Sequence, residues 1–200
     1  AGVSRYGSTD CTLNRNFYDA ILAPATAASD PSYGDGVPFM KSKQFLASLS
    51  IDQDLGDAHT LSSVTGYYRL RERSVDSFTF SNNPYFGASN DITAKGFSQE
   101  LRLASDYDGP LNFLVGGFFQ DAHFLTRQAF TTNFGTPFVV GSTYYDVHTK
   151  ATSVFGQLRY KIADPLELAV GGRYSWEDKS LTGTSLGSPI QILGPKQNYT

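Results

Sequence analysis

The sequence predicts an all-β chain, an antiparallel up-and-down meander of about six long strands. Three observations carry this. Period-two alternation of apolar and polar residues recurs in six runs, whereas helical periodicity is scarce. Tight turns alternate with long connections. A hairpin-sized unit of about 50 residues also repeats along the chain.

The best helical stretch, Asn16 to Ala28, is interrupted by Pro24 and has room for two turns at most. The first strand run is Phe45 to Asp54, where Phe45, Ala47, Leu49 and Ile51 alternate with Leu46, Ser48, Ser50 and Asp52. The second, Thr60 to about Arg73, sets Val64, Gly66, Tyr68 and Leu70 against Thr65, Tyr67, Arg69 and Arg71. In the third, Gly96 to Ser105, Phe97, Gln99, Leu101 and Leu103 oppose Ser98, Glu100, Arg102 and Ala104. The fourth, Leu111 to His123, is apolar on both faces. The fifth, Ser153 to Ile162, places Val154, Gly156, Leu158, Tyr160 and Ile162 on one face. The sixth, Leu166 to Glu177, is the clearest, with Leu166, Leu168, Val170, Gly172, Tyr174 and Trp176 facing one way.

Leu55-Gly56-Asp57-Ala58, Asp106 to Pro110 and Ala163-Asp164-Pro165 read as tight turns by length and residue type. The other connections are long: Ala1 to Lys43, Ser74 to Lys95, Phe124 to Thr152 and Asp178 onward. Strict alternation puts all short turns at one end of the sheet and all long loops at the other. Val64-Thr65-Gly66-Tyr67-Tyr68, Val115-Gly116-Gly117-Phe118-Phe119 and Val170-Gly171-Gly172-Arg173-Tyr174 share a Val-x-Gly-x-aromatic core. By analogy with the sixth strand, Leu111, Phe113, Val115, Gly117 and Phe119 share the apolar face of the fourth. A ring beside each glycine suits a coiled sheet, because it covers the bare backbone.

Composition narrows the setting. The 200 residues hold 16 Lys+Arg against 19 Asp+Glu, a net charge of −3, which argues against a nucleic-acid binder. Charged residues are 18%, below the ~25% of an ordinary soluble domain, and aromatics reach 14%. The single cysteine, Cys11, excludes an internal disulfide framework and a cysteine-based zinc site. No run approaches the ~18 apolar residues of a transmembrane helix. The chain opens at Ala1 without a basic, then apolar, leader, so a signal peptide is expected to be absent or already removed.

Alternation alone fits either a soluble β-sandwich or a barrel in lipid. The strands are longer than the ~5 to 6 residues of typical sheets and match the ~9 to 11 that cross a bilayer. One-sided loop lengths and aromatics gathered toward the loop side (Tyr68, Phe119, Tyr174, Trp176) belong to outer-membrane barrels. The polar face is expected to carry Arg69, Arg71, Glu100, Arg102, Arg159, Arg173, Glu167 and Glu177. The expectation is therefore a segment of a transmembrane β-barrel: an external loop region over 1–44, three hairpins over 45–179, and the start of a further external loop over 180–200.

Phe97-Ser98-Gln99-Glu100-Leu101-Arg102-Leu103-Ala104-Ser105 resembles the F-S-Q-E-L-R-L-x-S strand of TonB-dependent outer-membrane receptors. Gly109 to Phe119, Val154-Phe155-Gly156-Gln157 and Gly171-Gly172-Arg173-Tyr174 are similar to neighbouring strands of that family. The resemblance covers about Phe45 to Lys179. It implies a 22-stranded barrel in the bacterial outer membrane, an N-terminal plug, and a TonB box that contacts the inner-membrane energy-transducing complex. Neither plug nor TonB box is recognisable here. Six strands alone would leave two open edges in lipid, so the chain is expected to be an internal barrel fragment. The implied partners are outer-membrane lipid, the TonB complex through a plug, and a small molecule of unknown identity. The implied function is energised uptake of a scarce ligand such as a ferric siderophore, vitamin or carbohydrate. A passive porin-like channel and a secreted β-sandwich binding module are the alternatives.

Candidate ligand-binding residues are Arg69, Arg71 and Arg73 at the loop-ward end of the second strand, and Tyr85, Tyr144 and Tyr145 in the loops. The three arginines suit an anionic ligand; equally, they suit a lumen-facing charge ladder paired with Glu72 and Glu100. No catalytic set is assigned, since His59, His123 and His148 are scattered. No cofactor or metal site is assigned either. His123 and Asp121 share a strand face, but as a two-residue pair they read as solvated.

Overall fold

The computed structural model describes residues 21–77, 85–133, 136–185, 188–193 and 197–199. Its strands are β1 (Phe39–Asp54), β2 (His59–Asp76), β3 (Phe86–Ser105), β4 (Leu111–Asn133), β5 (Pro137–Ala163), β6 (Leu166–Ser185), β7 (Ser188–Leu193) and β8 (Gln197–Tyr199). They form one sheet in the order β1-β2-β3-β4-β5-β6-β7, with β8 also paired to β6, and every pairing is antiparallel. The six expected runs fall inside β1 to β6. Of the stretch from 16 to 28, residues 16–20 lie outside the described residues, as does Cys11. Pro24–Ala27 forms one helical turn, α1, with its proline at the start, where a missing N–H costs nothing.

The tight turns lie together at one end. Leu55 donates its N–H to the His59 carbonyl at 2.8 Å, and Gly56 takes φ +71°, a left-handed conformation that favours glycine. The Asp106–Pro110 turn is held by Asn112, whose Oδ1 accepts from the Tyr107 N–H at 2.7 Å. Backbone bonds from Asp106 to Ala58 (2.8 Å) and from Lys161 to Pro110 (2.7 Å) tie the turns to one another.

At the opposite end the strands run much further than the alternation indicated. β1 to β6 hold 16, 18, 20, 23, 27 and 20 residues. The expected loops Ser74 to Lys95 and Phe124 to Thr152 are therefore mostly strand; the ladder continues to Asp76↔Ala88 and Asn133↔Pro137. These extensions keep β-branched residues (Thr93, Thr126, Thr131, Val139, Val147) but lose a continuous apolar face. Without one buried or lipid-covered face, period two has nothing to report.

Register sorts the side chains. Leu166, Leu168, Val170 and Tyr174 stand on one face with Leu158, Val154, Leu111, Phe113, Val115, Leu101, Phe97, Tyr67, Leu49 and Phe45. We call this the apolar face. It is uncovered: Val170 is 64% exposed, Leu158 55% and Leu49 58%. Among the described residues no second sheet packs on it.

One strand is reversed relative to expectation. Val64, Gly66 and Tyr68 pair with Glu100, Ser98 and Gly96, so β2 turns its Val-x-Gly-x-aromatic repeat to the polar face. Tyr67 and Tyr68 are adjacent rings, one for each face, and the neighbours decide which is which. Tyr68 lies across Gly96, where an added Cβ would run into its ring. Tyr67 takes the apolar face, its ring tilted against Phe45 at 6.1 Å.

The buried apolar cluster of the described residues is small and lies at the far end from the tight turns. Leu22, Ala27, Tyr33 and Val75 form it, with Phe39 packed alongside. Residues 21–38 cap the sheet there. A single 3₁₀ turn, Pro31–Tyr33, is started by Asp30, whose carboxylate accepts from the Ser32 N–H at 2.8 Å. It delivers Tyr33, fully buried, onto the sheet. The Tyr33 hydroxyl lies 3.0 Å from the Gly87 carbonyl, 3.2 Å from that of Ala129 and 3.0 Å from Thr131 Oγ1.

Candidate functional site

On the apolar face each strand changes character at a sharp border. Following β1 upward, away from the tight turns, Ile51, Leu49, Ala47 and Phe45 give way to Lys43 and Lys41. On β2 Tyr67 is followed on that face by Arg69, Arg71 and Arg73, and on β3 Phe97 by Lys95. On β4 Phe119 is followed by Asp121 and His123; on β6 Trp176 is followed by Asp178. The belt ring and the first ionisable group above it are two residues apart on five strands, β1 to β4 and β6. An aromatic belt edged by charge marks where hydrocarbon ends and headgroups begin.

Arg69, Arg71 and Arg73 thus stand on the apolar side, above the belt, and not on the polar side with Glu72 and Glu100. Arg69 pairs in register with Phe45 and Lys95, Arg71 with Lys43 and Thr93, Arg73 with Lys41 and Asp91. The reason is the reversal of β2: its odd-numbered residues follow Tyr67 outward. Arg73 reaches the Asp91 carboxylate at 3.8 Å; among the described residues no carboxylate lies that close to Lys41, Lys43, Arg69, Arg71 or Lys95. A shallow hollow of about 390 Å³ is lined by Phe39, Lys41, Lys43, Arg71, Arg73 and Asp91.

Tyr144 shares this face. Its ring underlies the Arg127 guanidinium at 5.5 Å and its hydroxyl donates to Asp146 at 3.2 Å. Tyr145, the next residue, points to the opposite face beside Gly183. Tyr85 sits at a loop end, exposed. The structure therefore gathers Arg69, Arg71, Arg73 and Tyr144 on one side and leaves Tyr85 and Tyr145 elsewhere.

Two histidines that look scattered in sequence meet across β4 and β5. His123 and His148 rings pack edge to face at 4.8 Å. Asp121 does not serve its neighbour His123; it lies 4.0 Å from His148 and 3.8 Å from Lys150, while His123 bonds Asp146 at 2.7 Å. The hollow at this point, about 420 Å³, also takes in Tyr67, Lys95, Phe97 and Phe119. Among the described residues no group of three or more His, Cys, Asp or Glu is arranged to hold a metal ion.

The sequence reading missed Lys41, Lys43 and Lys95 as partners of the arginines. A signal was present: Lys43-x-Phe45, Tyr67-x-Arg69 and Lys95-x-Phe97 are the same two-residue switch, read in opposite chain directions on successive antiparallel strands. Only the register aligns them.

The polar face holds a different arginine. Arg173 lies over the rings of Phe118 (5.4 Å) and Phe155 (5.7 Å) and donates to Ser153 Oγ at 2.5 Å and Ser175 Oγ at 3.2 Å. Arg102 is ion-paired to Glu100 on the same face. Within the apolar belt one polar group is satisfied internally. Gln99 accepts from Thr65 Oγ1 at 2.6 Å and donates to Ser63 Oγ at 2.9 Å. We expect Gln99→Leu to strand both hydroxyls and cost about 1–2 kcal/mol in urea unfolding from vesicles, whereas adding Thr65→Val and Ser63→Ala should recover most of it.

Among the described residues no helix is long and apolar enough to cross a membrane, which leaves crossing by strands open. The family model described as TonB dependent receptor-like, beta-barrel, matches residues 3–200. No curated protein matches the sequence. Among solved structures, the crystal structure of the ferric yersiniabactin uptake receptor FyuA from Yersinia pestis is similar at TM-score 0.64 and 17% identity, over 81% of this chain and 24% of that one. At that identity the likeness is one of fold, and this chain spans about a quarter of the solved protein's length.

Proposed function

Because the chain belongs to the TonB-dependent receptor-like β-barrel family, whose members are receptors and transporters rather than enzymes, we propose that it supplies strands and external loops to an outer-membrane receptor performing energised uptake. The observation that supports this most is the uncovered apolar face, bounded by rings and then charge on successive strands. Such a face is tolerable only against lipid. The cargo is a scarce small molecule such as a ferric siderophore, a vitamin or a carbohydrate, the first in line with the ferric yersiniabactin uptake of the solved relative. The plug and its contact with the TonB complex lie outside this chain. The extended ends of β2 to β5 and the segment 21–38 face the exterior, the tight turns the periplasm.

Cargo capture falls to the loops and the polar face, where Tyr85 and Tyr145 remain candidates; Arg69, Arg71, Arg73 and Tyr144 stand on the lipid side. The test is accumulation of radiolabelled ferric siderophores, cobalamin and oligosaccharides by cells expressing the receptor that contains this chain, with and without TonB. Saturable uptake of one class that disappears without TonB is the expected result. Uptake that persists without TonB would make the protein a passive channel.

A further inference from the structure

We infer that the outward surface just above the aromatic belt of β1 to β3 is a binding site for the phosphorylated headgroup of an anionic membrane lipid. This rests on the transmembrane reading above. The site is made by Lys41, Lys43, Arg69, Arg71, Arg73 and Lys95, which three consecutive strands bring to one face. Four of them, Lys41, Lys43, Arg71 and Arg73, line one hollow with a single carboxylate, Asp91, which lies 3.8 Å from Arg73; Asp30 borders the site beyond Arg73, and Asp121 borders it beyond Lys95.

The excess is specific to this place. The chain as a whole is net acidic, at −3, and the same level of β4 to β6 carries Asp121, Asp146 and Asp178 with the two histidines and Lys150. Like charges stacked on adjacent strands repel when nothing lies between them. Arg69 opposite Lys95, and Arg71 opposite Lys43, are such pairs. A phosphate between them converts the repulsion into charge-assisted hydrogen bonds, with the arginine forks suited to two oxygens each.

Position names the source of the phosphate. The cations are continuous with Phe45, Tyr67 and Phe97, two residues below them on the same face. A lipid whose acyl chains lie along Leu49, Leu101 and these rings brings its headgroup to the arginines. The hollow of about 390 Å³ between Lys43, Arg71 and Arg73 gives that headgroup a seat. A soluble anion gains the charge contacts but none of the hydrocarbon ones.

The experiment uses the whole receptor in nanodiscs of phosphatidylcholine alone or with phosphatidylglycerol, and native mass spectrometry of the lipids retained on release. Wild type should keep phosphatidylglycerol selectively. Arg69→Gln/Arg71→Gln should lower that selectivity about 25-fold, about fivefold for each charge lost near an anionic surface. Arg69→Lys/Arg71→Lys should keep most of it, and raised salt should weaken it. Heat-modifiable gel mobility checks that each variant is folded. Equal retention by the glutamine variant and wild type would overturn the proposal. So would displacement of the lipid by millimolar inorganic phosphate, which would mark a free-anion site. A receptor that fails to enter either nanodisc would overturn the transmembrane reading and this site together; insertion with unselective retention sinks the site alone.

Discussion

Leu101→Arg is expected to cost about 2–4 kcal/mol of folded stability in a bilayer. Leu101 is half exposed on the apolar face, four residues below Phe97 and well inside the belt, flanked in register by Ser63 and Gly117. No carboxylate on that face is within two residues along its own strand, and the side chain is too deep to carry its charge back to the surface. Gln157→Arg is the matched control. It lies on the polar face of β5, exposed, opposite Leu114 and Gly171, and should change stability by less than about 0.5 kcal/mol. Urea titrations of folding into phosphatidylcholine vesicles read both. Equal costs would mean that the two faces meet the same medium.

Tyr33→Ala is expected to release the cap over residues 21–38, with a local loss of about 3–5 kcal/mol. The ring is fully buried against Leu22, Ala27 and Val75, so its removal leaves a cavity under a segment that has little other anchorage. Ser29 to Thr131 (3.1 Å), Ser32 to Ser89 (2.6 Å) and Asn133 to Thr26 (3.3 Å) remain, but each is a single side-chain hydrogen bond. Tyr33→Phe keeps the volume and removes the one hydroxyl proton shared among the Gly87 carbonyl, the Ala129 carbonyl and Thr131 Oγ1, for about 1–3 kcal/mol. Hydrogen exchange at residues 33–36, 87 and 131 should rise in that order of severity, while the strands below Phe97 stay protected. Burial, with the charges of Asp30 and Asp76 adding and the Thr131 hydrogen bond opposing, pushes the Tyr33 hydroxyl above the usual tyrosine range. The docked cap is therefore at full strength below about pH 10, where a free tyrosine titrates, and is lost as pH rises through the higher value of Tyr33. Unchanged exchange in Tyr33→Ala would show that the segment is held by something other than this ring.

The meander, its turns and the identity of the lipid face on β1, β3, β4, β5 and β6 were all legible in residue alternation, because one face of each strand meets a uniform apolar medium. Legibility stopped where that medium stops. Past Phe97, Phe119 and Trp176 both faces carry polar residues, so β3 to β5 continued unseen for ten or more residues. The candidate arginines were visible as a run, but their side was not. Tyr67-Tyr68 offers a ring to either face, and only pairing with Phe97 and Gly96 chooses between them. The cap was illegible for another reason: Tyr33 has no periodic neighbour, and its partners are 54, 96 and 98 residues away.

The border between rings and charges carries a geometric consequence of its own. Counted along the register, the last ring sits at Phe45 on β1, one pair of residues lower at Tyr67 on β2 and Phe97 on β3, and a further pair lower at Phe119 on β4. Crossing three strand spacings, about 14 Å, the border descends four residues, about 13 Å. A membrane surface is flat, so the strands must lean from its normal by about 40° to bring those four rings level, the inclination at which closed barrels of this kind stand.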